Sequence, residues 1–194
     1  MYDAYFSYMG KFSPKPLTDE EKALITESFT PIRLRKRQYL LQAGDICKKF
    51  VFIVKGAMRM YSVDEKGFEH VVRLGIENWW IGDRESFVNH TPSRYHIDAF
   101  EHCELLAITF DNANELQTKV PAFSKMLSKL DERNQMANNR RLTSAISSTA
   151  EKRYTDFLEC NPKFTDRFPQ HIIASYLGIN KDTLSRVKRQ HNIR

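Results

Sequence analysis

Long apolar runs are missing from this chain. Nowhere do about 18 apolar residues follow one another, so no membrane-spanning helix is expected. The first ten residues, Met1 to Gly10, lack a basic stretch followed by an apolar core, and no signal peptide is expected. Cysteine is scarce. Cys47, Cys103 and Cys160 are far apart and odd in number, which argues against a disulfide framework and for free thiols in a reducing cytoplasm. Three dispersed cysteines also fall short of the four that an iron–sulfur cluster takes. His70, His90, His96 and His102 show no zinc-ligand spacing, so no metal is expected. The seven glycines never gather into a phosphate loop, and no nucleophile elbow or Cys–His pair appears. His90 and His96 lack the glutamate and further histidine of a metal-dependent barrel enzyme. These gaps together point away from an enzyme.

What is present suits a globular protein. The 194 residues are 41% hydrophobic and 28% charged, enough for one large domain or two small ones with a real core. The net charge of +6 is placed unevenly. Beyond Cys160, Lys163, Arg167, Lys181, Arg186, Lys188, Arg189 and Arg194 face only Asp166 and Asp182, a local balance of +5 that leaves +1 for everything before it. Such asymmetry suggests a polyanion-binding end on a nearly neutral body.

Three zones follow one another. From about Leu17 to Phe110 the chain is strand-like. Tyr39–Leu41, Phe50–Val54, Ala57–Tyr61, His70–Leu74 and Leu105–Ile108 are β-rich runs set apart by Gly44, Gly56, Gly67, Gly75 and Gly82. Short strands so spaced predict a sandwich or barrel, with hairpin turns at Lys55-Gly56 and Asp64–Gly67. From Pro121 to Ala150 no glycine or further proline interrupts, which predicts one long helix. In it Phe123, Leu127, Leu130, Asn134 and Ala137 alternate at four and three, as in a dimer seam, although the same stripe also suits packing on the chain's own sandwich. A further helix over Glu151–Glu159 ends at Asn161-Pro162.

The segment from Pro169 to Arg194 reads as two helices around a glycine turn. Ile172, Ile173, Tyr176 and Leu177 recur at helical spacing, Ala174 is small enough for a close crossing, and Gly178 can take the left-handed conformation that ends the first helix. Asn180 is placed to cap the second. In that helix Leu184 and Val187 share one face, while Asp182, Ser185, Arg186 and Arg189 occupy the other with Lys181 at its edge. A short helix with one apolar stripe and one basic, hydroxyl-bearing face suits the DNA major groove.

A β-rich first domain, a long dimer-type helix and this terminal pair together resemble the catabolite-activator / fumarate-nitrate-regulator (Crp/Fnr) family, in its Bacteroidetes-type branch. Phe168 to Arg186, with Thr149 to Tyr154 upstream, carry the most specific part of the likeness. The resemblance implies an α+β protein with three parts. Residues 1–120 would form a cyclic-nucleotide-binding-like jelly roll, 121–150 a dimerisation helix, and 151–194 a winged helix-turn-helix. It implies a homodimeric, cytoplasmic transcription regulator on double-stranded DNA, with RNA polymerase as a further partner and an unidentified small effector. By position Lys181, Asp182 and Arg186 would read bases. Pro169, Asn180, Thr183, Ser185, Lys188 and Arg189 would approach the phosphate backbone.

The likeness also implies an effector cassette over Trp80–Ile97. Gly82 and Arg94 match the family pattern there, but Asp83 replaces a glutamate that holds ribose, and Tyr95 a hydroxyl residue that holds phosphate. Two lost hydrogen bonds argue against cyclic AMP or GMP. Arg94 either clamps another anion or pairs with Asp83 and shuts the cassette; Trp79, Trp80 and Phe87 either line an apolar pocket or form plain core. A competing reading is a cyclic-nucleotide-type regulatory module whose last helices serve only protein contacts.

Overall fold

The computed structural model describes residues 1–192, with side chains as far as Arg189. Ile193 and Arg194, the end of the basic segment, lie outside the described residues. The chain divides into two compact units. One holds residues 1–60 and 74–132; the other holds 61–73 and 133 onward.

Helices open the first unit. α1 (Tyr2–Met9) is followed by a short 3-10 turn at Gly10–Phe12 and by α2 (Asp19–Ser28). Thr18 starts α2 with a reciprocal cap: its hydroxyl accepts from Glu21 N–H, and the Glu21 carboxylate accepts from Thr18 N–H. The strand-like reading of the first zone overlooked this helix, and α1 lies ahead of that zone. Tyr5, Tyr8 and Met9 of α1 are buried, and the Tyr5 ring sits 4.9 Å from Phe52 and 4.8 Å from Phe29.

Among the described residues, eight strands form two sheets: β1 (Thr30–Leu34), β2 (Tyr39–Leu41), β3 (Phe50–Lys55), β4 (Met58–Val63), β5 (Glu69–Gly75), β6 (Trp80–Ile81), β7 (His96–Ala99) and β8 (Cys103–Ile108). Their orders are β1-β8-β3-β6 and β2-β7-β4-β5. The expected β-rich runs all became strands. The expected hairpin turn at Asp64–Gly67 joins the neighbouring strands β4 and β5, with Gly67 at φ +82°, whereas Lys55-Gly56 is not a hairpin: with Gly56 at φ +104° it carries the chain from β3 in one sheet to β4 in the other. At Gly56 a Cβ would fall 2.5 Å from the His102 carbonyl oxygen, so no side chain fits. Phe52, Leu106 and Ile108 pack with α1, α2, α4 (Phe110–Lys119) and the start of α5 (Pro121–Ser147). Val51, Ile53, Leu105 and Ala107 alternate with them and are buried on the opposite face, the interior of the sandwich.

α5 is the long helix that the sequence predicts, but its seam divides. Phe123 and Met126 are buried in the core of the first unit, and Leu127 and Leu130 pack against that core. Phe123 is therefore not available to a dimer seam, which corrects the Phe123–Ala137 reading. The exposed large apolar residues of α5 lie later, at Met136, Leu142 and Ile146.

In the second unit, α6 (Ala150–Cys160), α7 (Phe164–Arg167), α8 (Gln170–Leu177) and α9 (Lys181–Asn192) follow α5. Tyr154, Phe157, Phe164, Phe168, Ile172, Ile173, Leu184 and Val187 are among its buried apolar residues. The expected wing is not found: among the described residues no strand follows β8, and the connection from α6 to α8 is the short helix α7.

Candidate nucleic-acid interface and effector cassette

The turn between α8 and α9 is built as its residues dictate. Gly178 ends α8 at φ +62° and ψ +38°, the left-handed cap that a residue without Cβ adopts at no steric cost. Arg153 of α6 donates to the carbonyls of Leu177 (3.0 Å) and Gly178 (3.3 Å), satisfying acceptors that the helix end leaves free. Sequence reading missed this arginine, because the contact spans 24 residues. Asn180 caps α9: its side-chain oxygen accepts from Asp182 N–H at 2.8 Å.

α9 spans twelve residues, about 18 Å at 1.5 Å per residue, which fits the width and reach of a major groove. Leu184 and Val187 are buried, as are Ile172, Ile173 and Ala174 of α8 beneath them. Asn180, Lys181, Asp182, Arg186 and Arg189 are exposed, and Thr183, Ser185 and Lys188 are half-buried along the margin. The helix thus presents a basic face opposite a sealed apolar one, and the sequence-predicted residues are brought together there.

The cassette is closed by different partners from those the sequence suggested. Asp83 is buried and caps α3 (Arg84–Asn89), accepting from Glu85 N–H at 3.2 Å and Ser86 N–H at 3.5 Å. Its second oxygen accepts from the Ser93 hydroxyl at 2.7 Å. That hydroxyl in turn accepts from Tyr95 N–H at 3.0 Å. Ser86 joins the network, donating to the Thr91 carbonyl at 2.5 Å and accepting from Cys47 N–H at 2.8 Å. Ser86 and Ser93 were not singled out from the sequence; a lone serine carries no signal until the fold brings its partner near. Arg94 does not pair with Asp83, because the short Ser93 hydroxyl already occupies the carboxylate. Arg94 instead lies 72% exposed, 3.8 Å from Glu85.

Gly82 serves packing. A Cβ there would fall 2.3 Å from the Phe50 ring. Trp80 and Phe87 flank that same ring, at 6.2 and 5.5 Å, and are buried core rather than pocket lining, whereas Trp79 is exposed. Arg84 makes a bidentate pair with Asp131 of α5, which holds its guanidinium above its ordinary pKa. The cassette residues therefore do not fit a cyclic nucleotide. The carboxylate is engaged internally, the glycine faces a ring, and the arginine lies in solvent. Burial also raises the Cys47 thiol, and raises Cys103 to about 11, so both stay protonated near neutrality. Among the described residues, no group of three or more His, Cys, Asp or Glu is arranged to hold a metal.

Residues 31–119 match the cyclic nucleotide-binding domain family. The chain is 24% identical to the transcriptional activator protein Anr of Pseudomonas protegens over 79% of its length and 67% of the relative's. It is likewise 24% identical to the fumarate nitrate reduction regulatory protein of Klebsiella oxytoca, over 79% of this chain and 65% of that one. It thus spans about two thirds of the length of these curated relatives. FixK2 from Bradyrhizobium japonicum superposes with a TM-score of 0.73 at 14% identity, covering 85% of each chain. Over most of its length the chain is similar to regulators of the Crp/Fnr type. The sandwich thus matches the cyclic nucleotide-binding domain family, and its cassette is held by the Asp83–Ser93 bond and the Tyr95 N–H.

Proposed function

We infer that this chain is a homodimeric, sequence-specific DNA-binding transcription regulator of the Crp/Fnr type. Residues 1–120 serve as its sensory domain, 121–150 as its dimerisation helix and 151–194 as its DNA-binding part. The observation that carries this is α9: four charged side chains stand open on one face while Leu184 and Val187 seal the other. Lys181, Asp182 and Arg186 read base edges; arginine matches guanine O6 and N7, and aspartate accepts from cytosine N4. Asn180, Thr183, Ser185, Lys188 and Arg189 meet phosphates. Two such helices in a dimer reach half-sites about 34–36 Å apart. The protein acts in the cytoplasm without catalysis, with RNA polymerase as a further partner. It answers a small effector other than cyclic AMP or GMP.

Selection of bound duplexes from random DNA tests this reading, and a two-fold-symmetric site is expected. Arg186→Ala is expected to cost about 1–3 kcal/mol per half-site and to relax preference at one base pair, whereas Lys188→Ala weakens all sequences alike. If Arg186→Ala left affinity and base preference unchanged, α9 would not be the recognition helix.

A further inference from the structure

Residues 61–73, the outer part of the β4–β5 hairpin, belong to the same compact unit as the helix-turn-helix. β5 is the last strand of its sheet, so one of its edges lacks a neighbouring strand. Ser175 of α8 occupies that edge. Its Oγ accepts from Val71 N–H at 2.9 Å and donates to the Glu69 carbonyl at 2.9 Å. One hydroxyl thereby supplies the donor and acceptor that a paired strand would offer. Arg141 of α5 donates to the adjacent Val72 carbonyl, and the same guanidinium lies 4.7 Å from the centre of the Tyr176 ring, within cation–π range. Two side chains from two helices, Ser175 and Arg141, therefore clasp Glu69, Val71 and Val72 of one strand, and Tyr176 lies against the Arg141 guanidinium. None of these contacts involves the exposed face of α9. α8 buries Ile172, Ile173 and Ala174 while presenting Ser175 to the hairpin and Tyr176 to Arg141.

We propose that Ser175, Tyr176 and Arg141 are positioning residues for DNA binding. They hold α8 at a set angle on the hairpin, and through α8 they set the aim of α9. This rests on the regulator reading above. A two-half-site operator needs both recognition helices correctly aimed at once, so affinity for it depends on a rigid aim. A single half-site is read by one helix that is free to adapt, so its affinity does not depend on the clasp.

The test uses the full chain as wild type, Ser175→Ala, and Ser175→Thr, which keeps the hydroxyl. Hydrogen exchange at the Val71 amide reports the clasp directly. Affinities for a selected full-site duplex and for its isolated half-site report aim. In Ser175→Ala, Val71 exchange is expected to rise about tenfold or more and full-site affinity to fall about tenfold, with half-site affinity unchanged. Ser175→Thr should stay near wild type on every readout. Unchanged Val71 exchange in Ser175→Ala overturns the clasp. Equal losses on both duplexes indicate damage to the reading helix, and a gain on the full site indicates a clasp that holds the wrong aim; either overturns the positioning role. A wild-type chain that bound neither duplex would overturn the regulator reading and the positioning role with it, while Val71 exchange would still judge the clasp on its own.

Discussion

Single residues carry more of the sensory domain's character than composition suggests. The missing Cβ of Gly82 makes room for the Phe50 ring. That ring is held between Trp80 and Phe87 and has little freedom to swing aside. Gly82→Ala is therefore expected to lower stability by about 1–3 kcal/mol through overpacking, measured by chemical denaturation. A variant as stable as the parent would mean that Phe50 moves freely. Ser93 shows the opposite relation. Its hydroxyl neutralises the hydrogen-bonding need of a buried carboxylate, which leaves Arg94 to solvent.

Elements show how one helix can serve two ends. The first turns of α5 belong to the core through Phe123 and Met126, while Leu142 and Ile146 remain exposed near its end. Large exposed apolar side chains four residues apart form one stripe, the kind that a second copy of the helix covers. Leu142→Lys with Ile146→Lys is expected to convert the dimer to monomer in light scattering with the fold intact. Phe123→Ala should instead cost about 3–5 kcal/mol of stability, as for a large core truncation. A double-lysine chain that stayed dimeric would place the interface elsewhere.

The hairpin between β4 and β5 adds a pH dependence. The Asp64 carboxylate is hydrogen-bonded first by His70, at 2.8 Å, and then by Phe68 N–H, at 2.9 Å, and these hold its pKa below the ordinary value. A depressed carboxylate contributes stability above its unfolded pKa and loses it as pH falls through the folded one. The Phe68 amide shift in NMR should thus stay constant down to about pH 4 and move only below it. A midpoint at or above the ordinary aspartate value would contradict the contact.

At the scale of the molecule, the chain combines a sandwich of the cyclic nucleotide-binding family with a cassette whose polar groups already satisfy one another. Cyclic AMP would have to displace the Ser93–Asp83 bond and would find no free carboxylate for its ribose. One lost hydrogen bond costs about 1–3 kcal/mol in a buried site, and two would weaken a micromolar site into the millimolar range. Calorimetric titration is expected to show no binding below about millimolar cyclic AMP. Micromolar binding that vanishes in Arg94→Ala would show that the cassette reopens around the ligand.

The long glycine-free helix, the β-rich runs with their glycine turns, and the two helices around Gly178 were all legible in the sequence. Each depends on local rules: periodicity, capping and positive φ act within a few residues. The basic face of α9 was legible for the same reason, since helical spacing alone puts Lys181, Asp182 and Arg186 opposite Leu184 and Val187. Tertiary structure decided the partners. α1 lay ahead of the strand-like zone, and its aromatic residues serve helix and strand cores equally well; α2 carried a local signal, the Thr18–Glu21 capping box, that the strand-like reading passed over. Phe123 went to its own core rather than to a seam, since a heptad stripe does not say which surface will cover it. Asp83 found Ser93 instead of Arg94, and Ser175 found the edge of β5 more than a hundred positions away. Those pairings follow from where the folded chain brings groups within about 3 Å, a distance that spacing along the sequence does not encode.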